Sequence, residues 1–210
     1  MNLDHLEPLL RAGIDSLGLA LGDDIVRRLL DYQALLARWN HTYNLTAVRD
    51  PQQMVVRHLL DSLAVLPYVR GPRLADLGTG AGLPGMPLAI AMPGIQVSLV
   101  DANGKKVRFL REAIRTLKLD NVKAVQDRME NLGGEFDCIT SRALSSVGDM
   151  LGAAGHLLAT DGIWLALKGQ RPEAELAALP PGFAVRAVHA LSIPGLGAER
   201  HLLVLARAPH

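Results

Sequence analysis

The 210 residues suffice for one α/β domain with a modest appendage, long enough to bury a full core without staples, and the 49% apolar and 20% charged content is that of an ordinary soluble globular chain. A formal net charge of only +1 excludes a protein that wraps naked nucleic acid through overall charge, so any nucleic-acid contact rests on local patches. The single Cys138 excludes an internal disulfide framework and fits a reducing compartment. Asp4, Glu7, Arg11 and Asp15 interrupt the N-terminal stretch, so no signal-peptide core is expected, and no apolar run is long enough to span a bilayer. Together these features point to a cytoplasmic protein with no membrane partner.

The N-terminal third reads as helical. Leu3, Leu6, Leu9/Leu10, Ile14 and Leu17 recur at helical spacing. A second helix is expected from the N-cap pair Asp23/Asp24, with Ile25, Leu29/Leu30, Leu35/Leu36 and Trp39 facing inward, ending in the polar stretch 40–44. Asp50-Pro51-Gln52-Gln53 supplies an N-cap, a proline at N1 and a Gln able to close a capping box, opening a third helix that stops at Pro67. After Gly71-Pro72 strands alternate with helices. Strands are expected over 73–78, 96–101, 122–127, 137–142 and 163–168, helices over 83–92, 105–119 and 146–158, and a closing hairpin over 183–191 and 201–206. This alternation argues for an α/β fold with a largely parallel sheet covered on both faces. Residues 1–70 are expected to pack as a helical cap on a core of residues 71–210, with no long linker between them.

Asp76-Leu77-Gly78-Thr79-Gly80-Ala81-Gly82-Leu83-Pro84-Gly85 carries the densest chemical signal. Glycine lets the chain turn sharply off a strand and lets backbone approach a ligand, while the next helix offers free N–H groups. Gly80 to Gly85 also satisfies the dinucleotide fingerprint, so alone it allows NAD, S-adenosylmethionine or a tight turn. Two residues, Gly78-Thr79, intervene before that fingerprint, and Asp76 sits inside the strand end. The whole therefore resembles the class I methyltransferase pattern of acid-x-Gly-x-Gly-x-Gly, which implies a Rossmann-like sheet and S-adenosylmethionine. Asp101, closing the second strand, can accept both hydroxyls of a ribose and fits either cofactor.

A more specific resemblance runs along nearly the whole chain. Asn44-Leu45-Thr46-Ala47, Val56-Arg57-His58-Leu59-Leu60-Asp61-Ser62, the glycine turn through Leu88, Lys105-Lys106-Val107-Arg108-Phe109-Leu110, Ser141-Arg142-Ala143, Leu167-Lys168-Gly169 and Glu199-Arg200-His201 occur in order. They resemble the bacterial small-subunit rRNA methyltransferase G family, also called glucose-inhibited division protein B. The resemblance implies methylation of guanine N7 in the helix 18 loop of 16S rRNA, with the free rRNA or the small ribosomal subunit as partner. Carried over by motif, it implies cofactor contacts from Gly78, Leu83, Met129, Glu130 and Arg142, to which the glycine turn itself adds Asp76, Gly80 and Gly82 and the second strand adds Asp101. Met129 would cover the adenine, although it reads equally as core. Asn103 and Met129 depart from commoner members, the latter standing where a small residue is frequent.

The residues agree with such chemistry. N7 already presents a lone pair, so alignment and desolvation suffice without a general base. Ser141-Arg142-Ala143-Leu144 stands where exocyclic-amine methyltransferases carry Asn/Asp-Pro-Pro-aromatic. Carbon-5 methylation needs a cysteine nucleophile, and Cys138 reads as core packing inside a strand. No nucleophile–base set or metal-ligand spacing competes, so no metal is expected. Candidate substrate-orienting residues are Arg142, His58, Lys168 and Arg200. Arg142 reads either as a base or phosphate contact or as a surface ion pair, and His58 either as a substrate contact or as structural. Lys105, Arg108, Arg111, Arg115 and Lys118 form a basic stripe beside the apolar stripe Val107, Leu110, Ile114 and Leu117; with Lys168, Arg171 and Arg200 it would hold phosphates, or it is a solvated face. In an A-form helix N7 lies in a deep, narrow groove, so the target must be unpaired or unstacked. A monomer is expected. A small-molecule methyltransferase, an idle nucleotide-binding regulator and an NAD-binding protein are the alternatives.

Overall fold

The computed structural model describes residues 4–142 and 146–209. The helices are α1 (Glu7–Ser16), α2 (Asp23–Tyr43), α3 (Pro51–Met54), α4 (Asp61–Leu63), α5 (Gly85–Ala91), α6 (Gly104–Leu117), α7 (Val147–Ala154) and α8 (Glu173–Ala177). The strands are β1 (Arg73–Leu77), β2 (Gln96–Asp101), β3 (Val122–Gln126), β4 (Phe136–Arg142), β5 (Leu158–Lys168), β6 (Phe183–Ala190) and β7 (His201–Arg207). They form one seven-stranded sheet in the order β3-β2-β1-β4-β5-β7-β6. The first five strands pair in parallel, and β7 runs antiparallel to both β5 and β6. Strand order reverses between β1 and its two neighbours, β2 and β4, and such a switch point opens a crevice beyond the C-terminal strand ends.

Alternation along β1 sends Leu74 and Asp76 to one face and Ala75 and Leu77 to the other. The first face carries a cluster in which Leu10, Ile14, Leu29, Leu36, Met54 and Leu59 join Leu88, Leu99, Phe109 and Leu110. The N-terminal helices therefore share one apolar core with the sheet and with α5 and α6. The opposite face is covered by α7, through Val147, Met150, Leu151 and Ala154.

Local signals differ from expectation in five places. Gly22, not an aspartate, occupies the N-cap of α2; Asp23 and Asp24 lie in its first turn, where the helix dipole favours them, and Asp23 pairs with Arg11 of α1 at 2.8 Å. Asp50 caps α3 through Gln53 N at 2.8 Å, but the Gln53 side chain accepts from Arg57 Nε at 3.0 Å instead of closing the capping box. The helical path then passes through a π-helical turn, Val55–Leu60, and α4 ends at Leu63, before Pro67, which sits in a separate 3-10 turn. β5 begins at Leu158 because a register shift against β4 absorbs Asp161-Gly162, a pair that reads as a turn. The short α8 had no counterpart in the expected elements.

Candidate active site

The glycine turn leaves β1 through three residues with left-handed backbone, Gly78, Gly80 and Gly82, at φ of 63°, 63° and 97°. A Cβ on Gly82 would come within 2.6 Å of Met86 Cγ and 2.9 Å of Leu110 Cδ2, so the turn is closed against α5 and α6. Asp76 lies beneath it with no exposed surface. Its Oδ2 accepts from the Thr79 hydroxyl and from Gly85 N at 2.9 Å, and its Oδ1 accepts from the Thr140 hydroxyl at 3.0 Å. Burial pushes the carboxyl up to about 6 against the pull of these hydrogen bonds. Asp76, expected among the cofactor contacts, instead shapes the loop from below. From α2, the buried Tyr32 hydroxyl donates to Ala81 O at 2.6 Å and pins the outer bend.

Two cavities of about 300 Å³ each open on either side of this turn and share Gly78 and Lys106. Asp101, Ala102, Met129 and Glu130 line the first. Asp101 ends β2, where Oδ2 accepts from Gly80 N at 2.9 Å, Oδ1 accepts from Asn103 N at 2.8 Å, and Lys106 Nζ stands 3.7 Å away. The carboxylate thus ties the glycine turn to the start of α6, which Asn103 caps through Lys105 N at 3.0 Å. Met129 is half-buried against the second apolar cluster and Glu130 is exposed, in a 3-10 turn after β3.

Leu45, Thr46, Ala81, Leu83 and Arg142 line the second cavity. Its far wall is organised by Asp61, which has no exposed surface. Arg142 Nη1 donates to Asp61 Oδ2 at 3.1 Å, and Arg200 Nε donates to Oδ1 at 2.7 Å. One buried carboxylate therefore holds guanidinium groups from the end of β4 and from the loop before β7. The π-helical turn contributes a further contact, since Arg142 Nη1 also donates to Arg57 O at 3.1 Å. His58 follows in the same turn; it is 5% exposed and its Nε2 lies 3.0 Å from Thr46 Oγ1. Burial, aided by Arg142, lowers its pKa to about 4, so the ring is neutral at pH 7.

Of the four candidate substrate-orienting residues, Arg142 reaches the cavity, and Arg200 and His58 stand directly behind it. Lys168 lines neither cavity; its Nζ meets Glu175 at 2.8 Å, and Glu175 also accepts from Val147 N at 2.6 Å. Arg171 pairs with Glu173 at 2.7 Å. Lys105, Arg108, Arg111 and Arg115 are exposed on α6, as is Lys118 at its C-cap, and Arg115 is tied to Glu112. Cys138 is fully buried and its thiol is pushed up to about 12, which leaves no thiolate for nucleophilic attack. Ala143 and Leu144, part of the stretch standing in place of an amine-methylating motif, lie outside the described residues.

Thr46, Tyr32, Lys106 and the bridging position of Asp61 escaped the reading of the sequence. Lys106 had a local signal: a lysine in the first turn of a helix opposes the dipole, an arrangement that invites a compensating acid such as Asp101. Tyr32 had only its place on an apolar helix face.

The left-handed turn, the carboxylate at the end of β2 and the cavity between them suit an adenosyl group held against backbone. At Gly80 a Cβ would meet nothing nearer than 3.9 Å, so that side of the turn is open to close approach by a nucleoside sulfonium. Fold and crevice together define a class I S-adenosylmethionine-dependent methyltransferase. The sequence profile described as rRNA small subunit methyltransferase G matches residues 25–203. The Ribosomal RNA small subunit methyltransferase G of Stenotrophomonas maltophilia (strain K279a) is 54% identical over 198 residues, covering 93% of this chain and 92% of its own. The protein of the same name from Xanthomonas axonopodis pv. citri (strain 306) is 55% identical over 181 residues, covering 85% of each chain. Among solved structures, magnesium protoporphyrin IX methyltransferase from Synechocystis PCC 6803 with bound S-adenosylmethionine superposes with a TM-score of 0.60 at 20% identity, covering 90% of this chain and 99% of its own. That likeness concerns the fold. The chain belongs to the rRNA small subunit methyltransferase G family.

Proposed function

We propose that this enzyme transfers a methyl group to N7 of a guanine in the helix 18 loop of 16S rRNA, acting as a cytoplasmic monomer on the rRNA or the small subunit. The observation that carries the reading is the cavity beside the glycine turn. Its lining joins Arg142 and Thr46 to the backbone of Gly78 to Ala81, with no cysteine and no ionisable base among the lining residues except Lys106.

Gly78, Gly80, Gly82, Leu83, Asp101, Met129 and Glu130 would hold S-adenosylmethionine. When bound, it supplies an electrophilic methyl on a sulfonium. The chain's own residues align and desolvate. Asp101 fixes the turn through Gly80 N and keeps a second lone pair on each oxygen for ribose hydroxyls. Arg142, held by Asp61, faces the cavity as a donor-only group suited to a base edge or phosphate. N7 needs no deprotonation before attack, so the buried, neutral His58 need not serve as a base. Residues 1–70 would cap the core of 71–210 and form the roof of the substrate side. Arg200 would reinforce Arg142 from behind. The exposed cations of α6 would take phosphates.

Nucleoside mass spectrometry of 16S rRNA from a strain lacking this gene tests the reading. One 7-methylguanosine should disappear and return on complementation; an unchanged level refutes the target.

A further inference from the structure

Thr46 sits between α2 and α3 in a loop fixed from several sides. Its N–H donates to Asn40 Oδ1 at 2.8 Å, Asn40 Nδ2 donates to Val48 O at 3.3 Å, and Val48 N donates back to Thr46 Oγ1 at 3.2 Å. His58 Nε2 lies 3.0 Å from the same oxygen, and the other ring nitrogen, Nδ1, is buried without a hydrogen-bond partner. Two tautomers therefore compete. Were the Thr46 hydroxyl to donate to Nε2, the ring proton would sit on Nδ1 as a buried N–H with no acceptor. The Arg57 carbonyl lies near the ring and favours its protonated form, but it already accepts from Arg142 and does not reach hydrogen-bond geometry at Nδ1. With the proton on Nε2, the ring donates to Thr46 and only a lone pair is left unmatched. An orphaned buried N–H is the rarer and costlier defect, so the Nε2–H form is preferred.

The hydroxyl's own capacity then decides its direction. Oγ1 has two lone pairs and one proton. Val48 N and His58 Nε2 fill both lone pairs, so the proton must point away from them. The open side of Thr46 is the cavity it shares with Arg142 and the glycine turn. We propose that the Thr46 hydroxyl, locked by His58, is an obligate hydrogen-bond donor that reads the 6-oxo group of the target guanine. This rests on the guanine N7 reading above. The 6-oxo acceptor adjoins N7 on the same edge of guanine, whereas adenine presents an amino donor there. A cavity with three donor-only groups, Thr46 as oriented, Arg142 and Lys106, accepts the first edge and repels the second.

The test replaces the target guanine with 2-aminopurine, which keeps N7 and lacks the 6-oxo group, in reconstituted small subunits. For the wild-type enzyme kcat/KM should fall about tenfold, the order expected for one net hydrogen bond. Thr46→Val should lose about tenfold on guanine and show no further loss on 2-aminopurine, while Thr46→Ser restores both rate and discrimination. A Thr46→Val enzyme that still discriminates the two bases overturns the proposal. Independently, the long-range 15N spectrum of the His58 ring should place its proton on Nε2; a proton on Nδ1 overturns the locked donor even without an activity assay. If the wild-type enzyme leaves guanine N7 unmodified, the target reading falls and the base contact with it, a result distinguishable because the ring spectrum would still report the tautomer.

Discussion

On the glycine side, the crevice is walled by backbone: three left-handed glycines, the Gly80 N–H bonded to Asp101, and Asp76 buried underneath. On the opposite side it is walled by side chains, with Asp61 joining Arg142 and Arg200 from 81 and 139 residues away. The first wall is made by neighbours in sequence and needs particular residue types because φ and space demand them. The second is made by tertiary folding, and its energetics turn on keeping a buried charge matched. A backbone wall suits an invariant ligand approached closely, and a wall of charged forks suits a polyanionic substrate.

That contrast predicts where damage is greatest. Asp61→Ala leaves two guanidinium groups facing an emptied buried site and should cost about 3–5 kcal/mol in urea unfolding, with methyl transfer abolished. A loss below about 1 kcal/mol would mean that the arginines reach solvent partners and that the second wall is not charge-built. Gly82→Ala forces a Cβ into Met86 and Leu110 at φ 97° and should cost about 2–4 kcal/mol, together with cofactor affinity measured by calorimetry. Unchanged affinity with lowered stability would separate the turn from ligand binding.

His58 sharpens the comparison through pH. Its folded pKa of about 4 lies below the ordinary 6.5, so on acidification through that window the unfolded chain takes up a proton that the folded ring refuses. Its contribution to stability is therefore present at neutral pH and declines as pH falls. Asp76 works in the opposite sense: raised from 3.8 to about 6, its buried carboxyl favours the fold below 3.8, and that advantage is lost as pH rises through about 6. The difference in unfolding free energy between wild type and His58→Gln isolates the ring, and it should shrink by up to about 3 kcal/mol between pH 7 and pH 4. A difference that does not change with pH would contradict a buried neutral imidazole.

Smaller effects belong to groups whose loss leaves the fold intact. Asp101→Ala should weaken S-adenosylmethionine by about 10- to 100-fold, as expected for one or two charge-assisted hydrogen bonds, and lower stability by about 1–2 kcal/mol because Gly80 N and Asn103 N lose their acceptor. Full affinity would show that the ribose is held elsewhere. Reversing Lys105, Arg108 and Arg111 to Glu should leave stability unaltered and lower the salt slope of rRNA binding by about one for each phosphate no longer neutralised. An identical slope would make α6 a solvated face.

The same difference between the walls explains what could be read from the sequence. Asp76, the glycine spacing and Asp101 are tied by local geometry, so the sheet, the turn and the acid at the end of β2 are legible in order along the chain. Even there the direction of Asp76 was hidden, since a strand-end acid looks alike whether it faces a ligand or lies beneath a loop. Arg142 and Arg200 stood out as cations at strand ends, but their meeting at Asp61 depends on a π-helical turn that no propensity marks. Thr46 and His58 lay in matched motifs with nothing to show that one saturates the other. Lys168 had the same appearance as Arg142 and is drawn to Glu175 of α8, an element the sequence pattern did not announce.

The central claim is that the two walls bring an adenosyl cofactor and a guanine edge together. The most direct measurement uses the purified protein, S-adenosylmethionine carrying a deuterated methyl, and small subunits from a strain lacking the gene, followed by nucleoside mass spectrometry. The proposed function predicts a single labelled 7-methylguanosine per 16S rRNA. Label on any other nucleoside, or no label from an enzyme that NADH but not S-adenosylmethionine stabilises against heat, would contradict it.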